Sequence, residues 1–193
     1  MTAPEFLEFP KTARLSRLMT VTEKLDGTNA QVMITDDGDM FIGSRTRWIT
    51  PGDDNYGFAR WAVGNKEELL KLGPGRHFGE WWGSGIQRNY GLKEKRFSLF
   101  NVGRWYDPRD CGQEVVERRA PAPACCYVVP ILLQGPFSTD AVEASVNLLE
   151  AHGSYAAPGF MNPEGVMVFH EAARIVLKKT IKDDESPKSL SGG

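Results

Sequence analysis

Glu23-Lys24-Leu25-Asp26-Gly27-Thr28-Asn29 is the stretch on which the reading of this sequence turns. A lysine closes one short β-prone stretch, Asp-Gly supplies a turn, and Asn29 opens the next stretch. A lysine side chain is ordinarily a solvated cation. To act as a nucleophile it must shed its proton, which takes desolvation or cationic neighbours. A turn between two strands aims such a lysine into a cleft. The same Lys-x-Asp-Gly pattern also makes a plain surface turn, and the segment alone leaves both readings open.

Outward from this turn, β-prone stretches recur at 21–23, 29–35, 40–45, 77–82, 97–104, 127–133, 165–170 and 175–180. Asp36-Asp37-Gly38-Asp39 separates two of them as a hairpin turn. Helical patterns are fewer, at 55–63, 66–72 and 140–152. The last is the best formed. Ser138, Thr139 or Asp140 caps it, Ala141, Val142, Val146, Leu148 and Leu149 face inward, and Gly153 ends it. Strands dominate and helices punctuate them, which predicts an α+β fold with antiparallel sheets rather than alternating βαβ units. No internal repeat or interdomain linker is visible. Ala120-Pro-Ala-Pro-Ala124 reads as a stiff surface loop, and 183–193 as a polar, flexible tail.

Composition removes several function classes. The chain has 193 residues, with 23 Lys+Arg against 25 Asp+Glu and a formal charge of −2. That excludes a uniformly basic nucleic-acid coat but not a local basic groove. Between 85 and 119 eight basic residues face five acidic ones. Arg88, Lys93, Lys95, Arg96, Arg104, Arg118 and Arg119 are candidates for such a groove or for a solvated face. Hydrophobic residues at 41% and charged residues at 25% exclude wholesale disorder. Cys111, Cys125 and Cys126 have no disulfide or zinc spacing, which fits a reducing cytoplasm. His77, His152 and His170 show no metal-ligand spacing. The N-terminus lacks the pattern of a signal peptide, and the longest apolar run, 125–133, is interrupted by Pro130 and too short to span a membrane. There is no phosphate-binding G-x-x-x-x-G-K-[ST]. Gly83-Ser-Gly85-Ile-Gln-Arg88 lacks the third glycine of a dinucleotide fingerprint.

Lys24-Leu-Asp-Gly-Thr-Asn29 resembles motif I of the covalent nucleotidyltransferases, which include polynucleotide ligases and mRNA capping enzymes. Its Gly-Thr-Asn ending is most like the ATP-dependent RNA ligases of the RNA ligase 2 branch, common in phages and bacteria. Further segments resemble the remaining motifs in order. Gly43-Ser-Arg45 is like motif Ia, Phe78-Gly-Glu80-Trp-Trp-Gly83 like motif III, and Arg96-Phe-Ser-Leu-Phe100-Asn-Val102 like motif IIIa with Asn101 where Asp is usual. Pro163-Glu164-Gly165-Val-Met-Val168 is like motif IV, and Leu177-Lys178-Lys179-Thr180 like motif V. The resemblance implies an ATP-grasp-like nucleotidyltransferase (ligase adenylation) domain over 1–182, with antiparallel sheets flanked by helices and no OB-fold. It also implies a cytoplasmic location in a bacterium or a phage-infected cell.

The chemistry implied by the resemblance is specific. Lys24 attacks the α-phosphorus of ATP, expels pyrophosphate and carries AMP, splitting one hard activation into two easier transfers. Lys178 contacts the α-phosphate and assists. Glu80 and Glu164, 84 residues apart, are brought together by folding to bind a magnesium or manganese ion or the ribose. Asp26 is a further acid beside them. Glu23 borders the adenine through its main chain, Arg45 takes the ribose or a nucleic-acid phosphate, with Arg47 behind it, and Phe100 stacks on adenine. Phe97 competes with Phe100, and one of the two is core. Trp81 and Trp82 read as core. Asn29 acts on the RNA end. The family's two motif V lysines are separated by one residue, so Lys179 is either redundant or rescued by a bulge.

The expected partners are RNA ends, with no membrane. Only 13 residues follow Thr180, leaving room for neither an OB-fold nor the small helical domain of the RNA ligase 2 branch. Self-adenylylation is expected to survive, with a weak, salt-sensitive grip on RNA, so that end-joining needs a separate protein or a substrate that holds its own ends together. The competing readings are a DNA ligase, a capping-type guanylyltransferase, and a catalytically inert nucleotide or RNA-end binding protein.

Overall fold

The computed structural model describes residues 4–110 and 118–182. Cys111 and the expected 183–193 tail lie outside the described residues. Two sheets carry the fold. Sheet I has the order β11-β10-β1-β9, with β1 Leu18–Lys24, β9 Ile131–Pro136, β10 Gly165–His170 and β11 Ile175–Thr180, all antiparallel. Sheet II has the order β3-β2-β4-β5-β8, with β2 Thr28–Ile34, β3 Met40–Gly43, β4 Gly75–Gly83, β5 Lys95–Leu99 and β8 Cys126–Val128. Its pairings are antiparallel except β5–β8, which is parallel. A small parallel pair joins β6 Trp105–Tyr106 to β7 Ala120–Pro121. The expected mixed α/β architecture with mainly antiparallel sheets is present, and these two parallel pairs are additions to it.

Each sheet packs helices against one face only. Helix α3, Thr139–His152, lies on sheet I and closes a core of Met19, Val21, Val142, Val146, Leu149, Val166 and Val168. Ser138 is its cap: its hydroxyl accepts from Ala141 N at 3.3 Å, and Gly153 ends the helix at φ 79°. Helices α1, Phe58–Gly64, and α2, Lys66–Leu70, cover sheet II. There Phe58, Trp61, Trp81 and Phe97 form a ring cluster with centroids 5.0–5.9 Å apart. The expected helix at 55–63 starts late because Tyr56 and Gly57 sit at φ 51° and 84°. Asp54 satisfies the first turn instead, accepting from Ala59 N at 2.7 Å and Arg60 N at 3.1 Å.

Two expected strands are corrected by local chemistry. The stretch 97–104 pairs only as far as Leu99, because the Asn101 side chain accepts from Arg104 N at 3.1 Å and turns the chain. The apolar run 127–133 is not one strand. Its first part is β8 in sheet II and its second part is β9 in sheet I, with Val129 and Pro130 crossing between them. A similar crossing links β1 to β2, so the Asp-Gly segment is not a hairpin turn. It carries the chain from sheet I into sheet II. A third, smaller core of Leu25, Trp82, Tyr90, Val129 and Ala157 fills this junction.

Candidate active site at the junction of the two sheets

Lys24 is the last residue of β1, and it faces Gly165 across the ladder. Its Nζ lies 2.5 Å from Glu164 Oε2, on the residue just before β10. The pair is secluded: side-chain exposure is 17% for Lys24 and 3% for Glu164. Glu80 enters from sheet II, where β4 sets it opposite Asn29. Its Oε1 accepts from Gly27 N at 3.1 Å and its Oε2 from Asn29 Nδ2 at 3.0 Å. The fold therefore brings together Lys24, Asn29, Glu80 and Glu164 from four segments. Burial raises the Glu80 carboxyl to about 7; the Lys24 charge and the Gly27 N–H oppose this, and the Glu164 charge adds to it.

Two close approaches fix this geometry. A Cβ on Gly27 would sit 2.4 Å from Trp81 O and 2.7 Å from Trp82 Cβ. Only a glycine lets the connecting segment lie against β4. Gly165, at φ 149°, leaves no room either: its Cβ would meet Lys179 O at 2.2 Å.

Arg88 and Tyr90, from the loop between β4 and β5, hold the segment that follows Lys24. Arg88 Nε donates to Asp26 Oδ2 at 2.9 Å, and its Nη1 donates to the carbonyls of Asn162 at 3.0 Å and Pro163 at 3.4 Å. One guanidinium thus ties the residues after Lys24 to those before Glu164. Tyr90 Oη accepts from Asp26 N at 2.8 Å, and burial pushes its phenol far up. Nothing in the sequence around Tyr90 or Arg88 signals these roles; they depend on the loop 84–94 folding back under the site. Glu23 is 1% exposed and points the other way, to the α3 side of sheet I. Its Oε2 accepts from Tyr155 N and Ala156 N, both at 2.9 Å. Burial raises its pKa against the opposing hydrogen bonds from Ser154, Ala156 and Tyr155.

The other expected site residues fall in three places. Lys178 lies opposite Met167, which lies opposite Thr22, so it shares the Lys24 face of sheet I. Lys179 lies on the α3 face and pairs with Glu143 at 2.9 Å. The β10–β11 register runs without a bulge, so Lys179 is not brought to Lys24. Phe97 is fully buried in the ring cluster, whereas Phe100, just beyond β5, is 40% exposed. Arg45 lies past β3 and lines an open cavity with Gln31, Trp48 and Arg76, a lining that does not include Lys24; Arg47 shares this cavity and forks onto Asp53 through Nη1 and Nη2. The expected basic groove is largely consumed by structure. Arg104 donates to Leu72 O, Lys95 to Tyr56 O, and Arg96 lies over the Tyr127 ring.

Among the described residues no three or more His, Cys, Asp or Glu side chains are grouped as a metal cage, and no helix is long and apolar enough to cross a membrane. The paired carboxylates Glu80 and Glu164 still fit a magnesium or manganese ion. Such ions take one or two carboxylates and fill the remaining positions with water and substrate phosphates.

The two-sheet architecture is that of solved RNA ligases. A Naegleria gruberi RNA ligase variant in its apo form matches with TM-score 0.57 and 20% identity over 92% of this chain and 57% of that one. A variant of that enzyme with ATP and Mn matches with TM-score 0.55 and 22% identity, over 84% of this chain and 48% of that one. The enzyme with pyrophosphate matches with TM-score 0.56 and 21% identity, over 92% and 57%. The chain therefore spans about half the length of these structures, and the likeness is one of fold. Comparison with curated protein sequences finds no match. The RNA ligase family model matches residues 17–182, and the chain belongs to the RNA ligase family.

Proposed function

We propose that the chain is the nucleotidyltransferase (adenylation) domain of an ATP-dependent RNA ligase of the RNA ligase 2 branch, joining an RNA 5′-phosphate to a 3′-hydroxyl. The observation that carries this reading is the contact of Lys24 Nζ with Glu164 at 2.5 Å, with Glu80 hydrogen-bonded to the segment that follows Lys24, in a chain of this family. Attack requires the neutral amine. Glu164 Oε2 is placed to accept the proton as the Nζ lone pair forms a bond to the α-phosphorus of ATP. The bond from that phosphorus to the bridging oxygen breaks, and pyrophosphate leaves. In the second step the 5′-phosphate oxygen of RNA takes the AMP from Lys24, and the lysine regains its proton. In the third, a 3′-hydroxyl attacks the activated phosphate and AMP leaves.

Lys178, on the Lys24 face of sheet I, supplies positive charge to the α-phosphate. Phe100 offers an open ring for adenine, and Asn29 positions the RNA end. Glu23, its carboxylate occupied by two backbone N–H groups, contributes through its main chain. Glu80 and Glu164 would hold a magnesium or manganese ion, which when bound supplies charge neutralisation on the phosphates. Lys179 has no part in this arrangement.

Incubation with magnesium and α-labelled ATP, followed by a denaturing gel, tests the reading. A covalent band is expected in the wild type and none in Lys24→Ala. Absence of a band in folded, AMP-free wild-type protein would overturn it, and labelling by GTP instead of ATP would replace it with a capping-type reaction.

A further inference from the structure

Helices cover sheet II on one face only, and on the other the junction core covers just the inner end around Trp82. On the helix-covered face Ala30, Val32, Ile34 and Ile42 are all at most 7% exposed beneath α1 and α2. The opposite face carries Glu80 at its inner end. Alternation along β4 then places Phe78 and Arg76 on the same face, stepping away from Lys24. Phe78 lies opposite Gln31, and Phe41 opposite Met33, so β2 and β3 continue the same surface. Its aromatic side chains are left in solvent: Phe78 is 50% exposed, Phe41 49% and Trp48 47%. Three large exposed rings on one sheet face are more than scattered surface apolarity, and they call for an occupant.

The charges around them define its chemistry. Phe41 and Trp48 are in ring contact at 5.8 Å, and the Arg76 guanidinium lies over the Trp48 ring at 5.4 Å. Gln31, Arg45, Thr46, Arg47, Trp48 and Arg76 line an open cavity of about 270 Å³. Arg47 is neutralised by Asp53, whereas Arg45 and Arg76 have no carboxylate partner among the described residues. An apolar protein segment would leave these two guanidinium groups uncompensated as it covered the rings. An unpaired nucleic-acid strand satisfies both features at once, since its bases stack on rings and its phosphates pair with arginines.

We infer that the open face of sheet II is a stacking track for a single-stranded RNA segment, with Trp48 as the base platform and Arg76 as a phosphate contact, next to Arg45, whose phosphate role the family resemblance already implies. That the occupant is RNA rests on the RNA ligase reading. Arg76 is four residues from Glu80 along β4, about 13 Å at ~3.3 Å per residue. The platform therefore meets the strand within about four stacked nucleotides of its reacting end, at ~3.4 Å each. Its task is to hold the joined strand in line with Lys24.

The test is fluorescence anisotropy of the whole chain with a short, unstructured, dye-labelled RNA, without ATP. Trp48→Ala is expected to weaken binding at least about fivefold, and Trp48→Phe, which keeps a ring, to stay within about twofold of wild type. Arg76→Ala is expected to reduce the slope of log affinity against log salt by about 0.7, the value for one single-strand phosphate contact. Wild-type binding that ignores Trp48→Ala, or no RNA binding by the wild type at low salt, would overturn the platform. So would a change in self-association as the sole effect of Trp48→Ala, which would assign the face to a second copy of the chain. Because nothing turns over, failure here is separate from failure of the ligase reading. A protein that forms the Lys24 adduct but binds RNA independently of Trp48 keeps the ligase and loses the track. One that binds RNA through Trp48 but never labels keeps the track and loses the ligase.

Discussion

Glu80 has two fixed donors and very little water, and these act on its ionisation in opposite directions. Burial is the larger effect and sets the carboxyl at about 7, well above its ordinary 4.5. An acid whose folded pKa exceeds its unfolded value binds more protons in the fold between those two pH values. Stability therefore falls as pH rises from about 4.5 to about 7 and is level above that. The difference amounts to at most roughly 3–4 kcal/mol for a shift of this size. Glu80→Gln removes the charge and with it the fall. Its carbonyl still accepts from Gly27 N, and the Asn29 amide turns over to meet the new donor. Thermal unfolding of both proteins in metal-free buffer should show their melting temperatures diverging in favour of Gln between pH 5 and 7, with a constant gap above. The same substitution should abolish labelling by ATP. Parallel pH profiles of the two proteins would mean that Glu80 is better solvated than its 7% exposure indicates.

At the scale of elements, strand alternation decides which lysine of β11 shares a sheet face with Lys24. Lys178 falls on the Lys24 face and Lys179 on the α3 face, because β10 and β11 pair without a bulge from Gly165–Thr180 to His170–Ile175. Lys178→Ala should slow formation of the labelled adduct about a hundredfold, the order seen when one donor to a transition-state oxyanion is lost. Lys179→Ala should leave that rate within about threefold and cost no more than about 1 kcal/mol, the worth of a partly exposed ion pair. Equal losses in a single-turnover labelling assay would contradict the placement. Much of this was legible beforehand. The motif residues, the strands 165–170 and 175–180, the α3 cap region and the burial of Phe97 all follow from periodicity, capping chemistry and the family pattern. The face of Lys179 was legible as a question, since a bulge is a tertiary event that spacing alone does not report. The division of 127–133 between two sheets was only half legible: Pro130 marks the break, but a broken apolar run has the same pattern whether its two strands share a sheet or leave it. The fate of the basic residues 88–104 was not legible. A guanidinium that binds RNA and one that caps a backbone carbonyl are the same letter, and only the folded loop tells them apart.

For the whole molecule, the decisive feature is that each sheet has its own helix-backed core, and the site lies where the two meet. The proposed reaction needs Glu80, from sheet II, held in register with Lys24 and Glu164, from sheet I. Two backbone crossings supply part of that register, at Leu25–Gly27 and at Val129–Pro130, and the small core around Trp82 and Tyr90 supplies more. Arg88 is the side chain that spans the junction, joined to Asp26 on one side and to the carbonyls of Asn162 and Pro163 on the other. Removing it takes the Nε donor, 2.9 Å away, from the Asp26 carboxylate and leaves two carbonyls short of a donor. Hydrogen bonds to charged groups at such sites are worth roughly 1.5–3 kcal/mol. Arg88→Ala should therefore lower the melting temperature by several degrees, at about 2–4 °C per kcal/mol for a chain of this size. A merely structural role would end there. If Arg88 positions the site, the adduct rate should fall further than the folded fraction does, because Glu164 loses its tether while Lys24 keeps its strand. Arg88→Lys, which retains one donor but not the fork, should restore more stability than rate. The comparison is made at a temperature where all three proteins are fully folded. An unchanged labelling rate in folded Arg88→Ala would reduce this arginine to a fastening between the sheets and leave the Lys24–Glu164 geometry to the β1–β10 ladder alone.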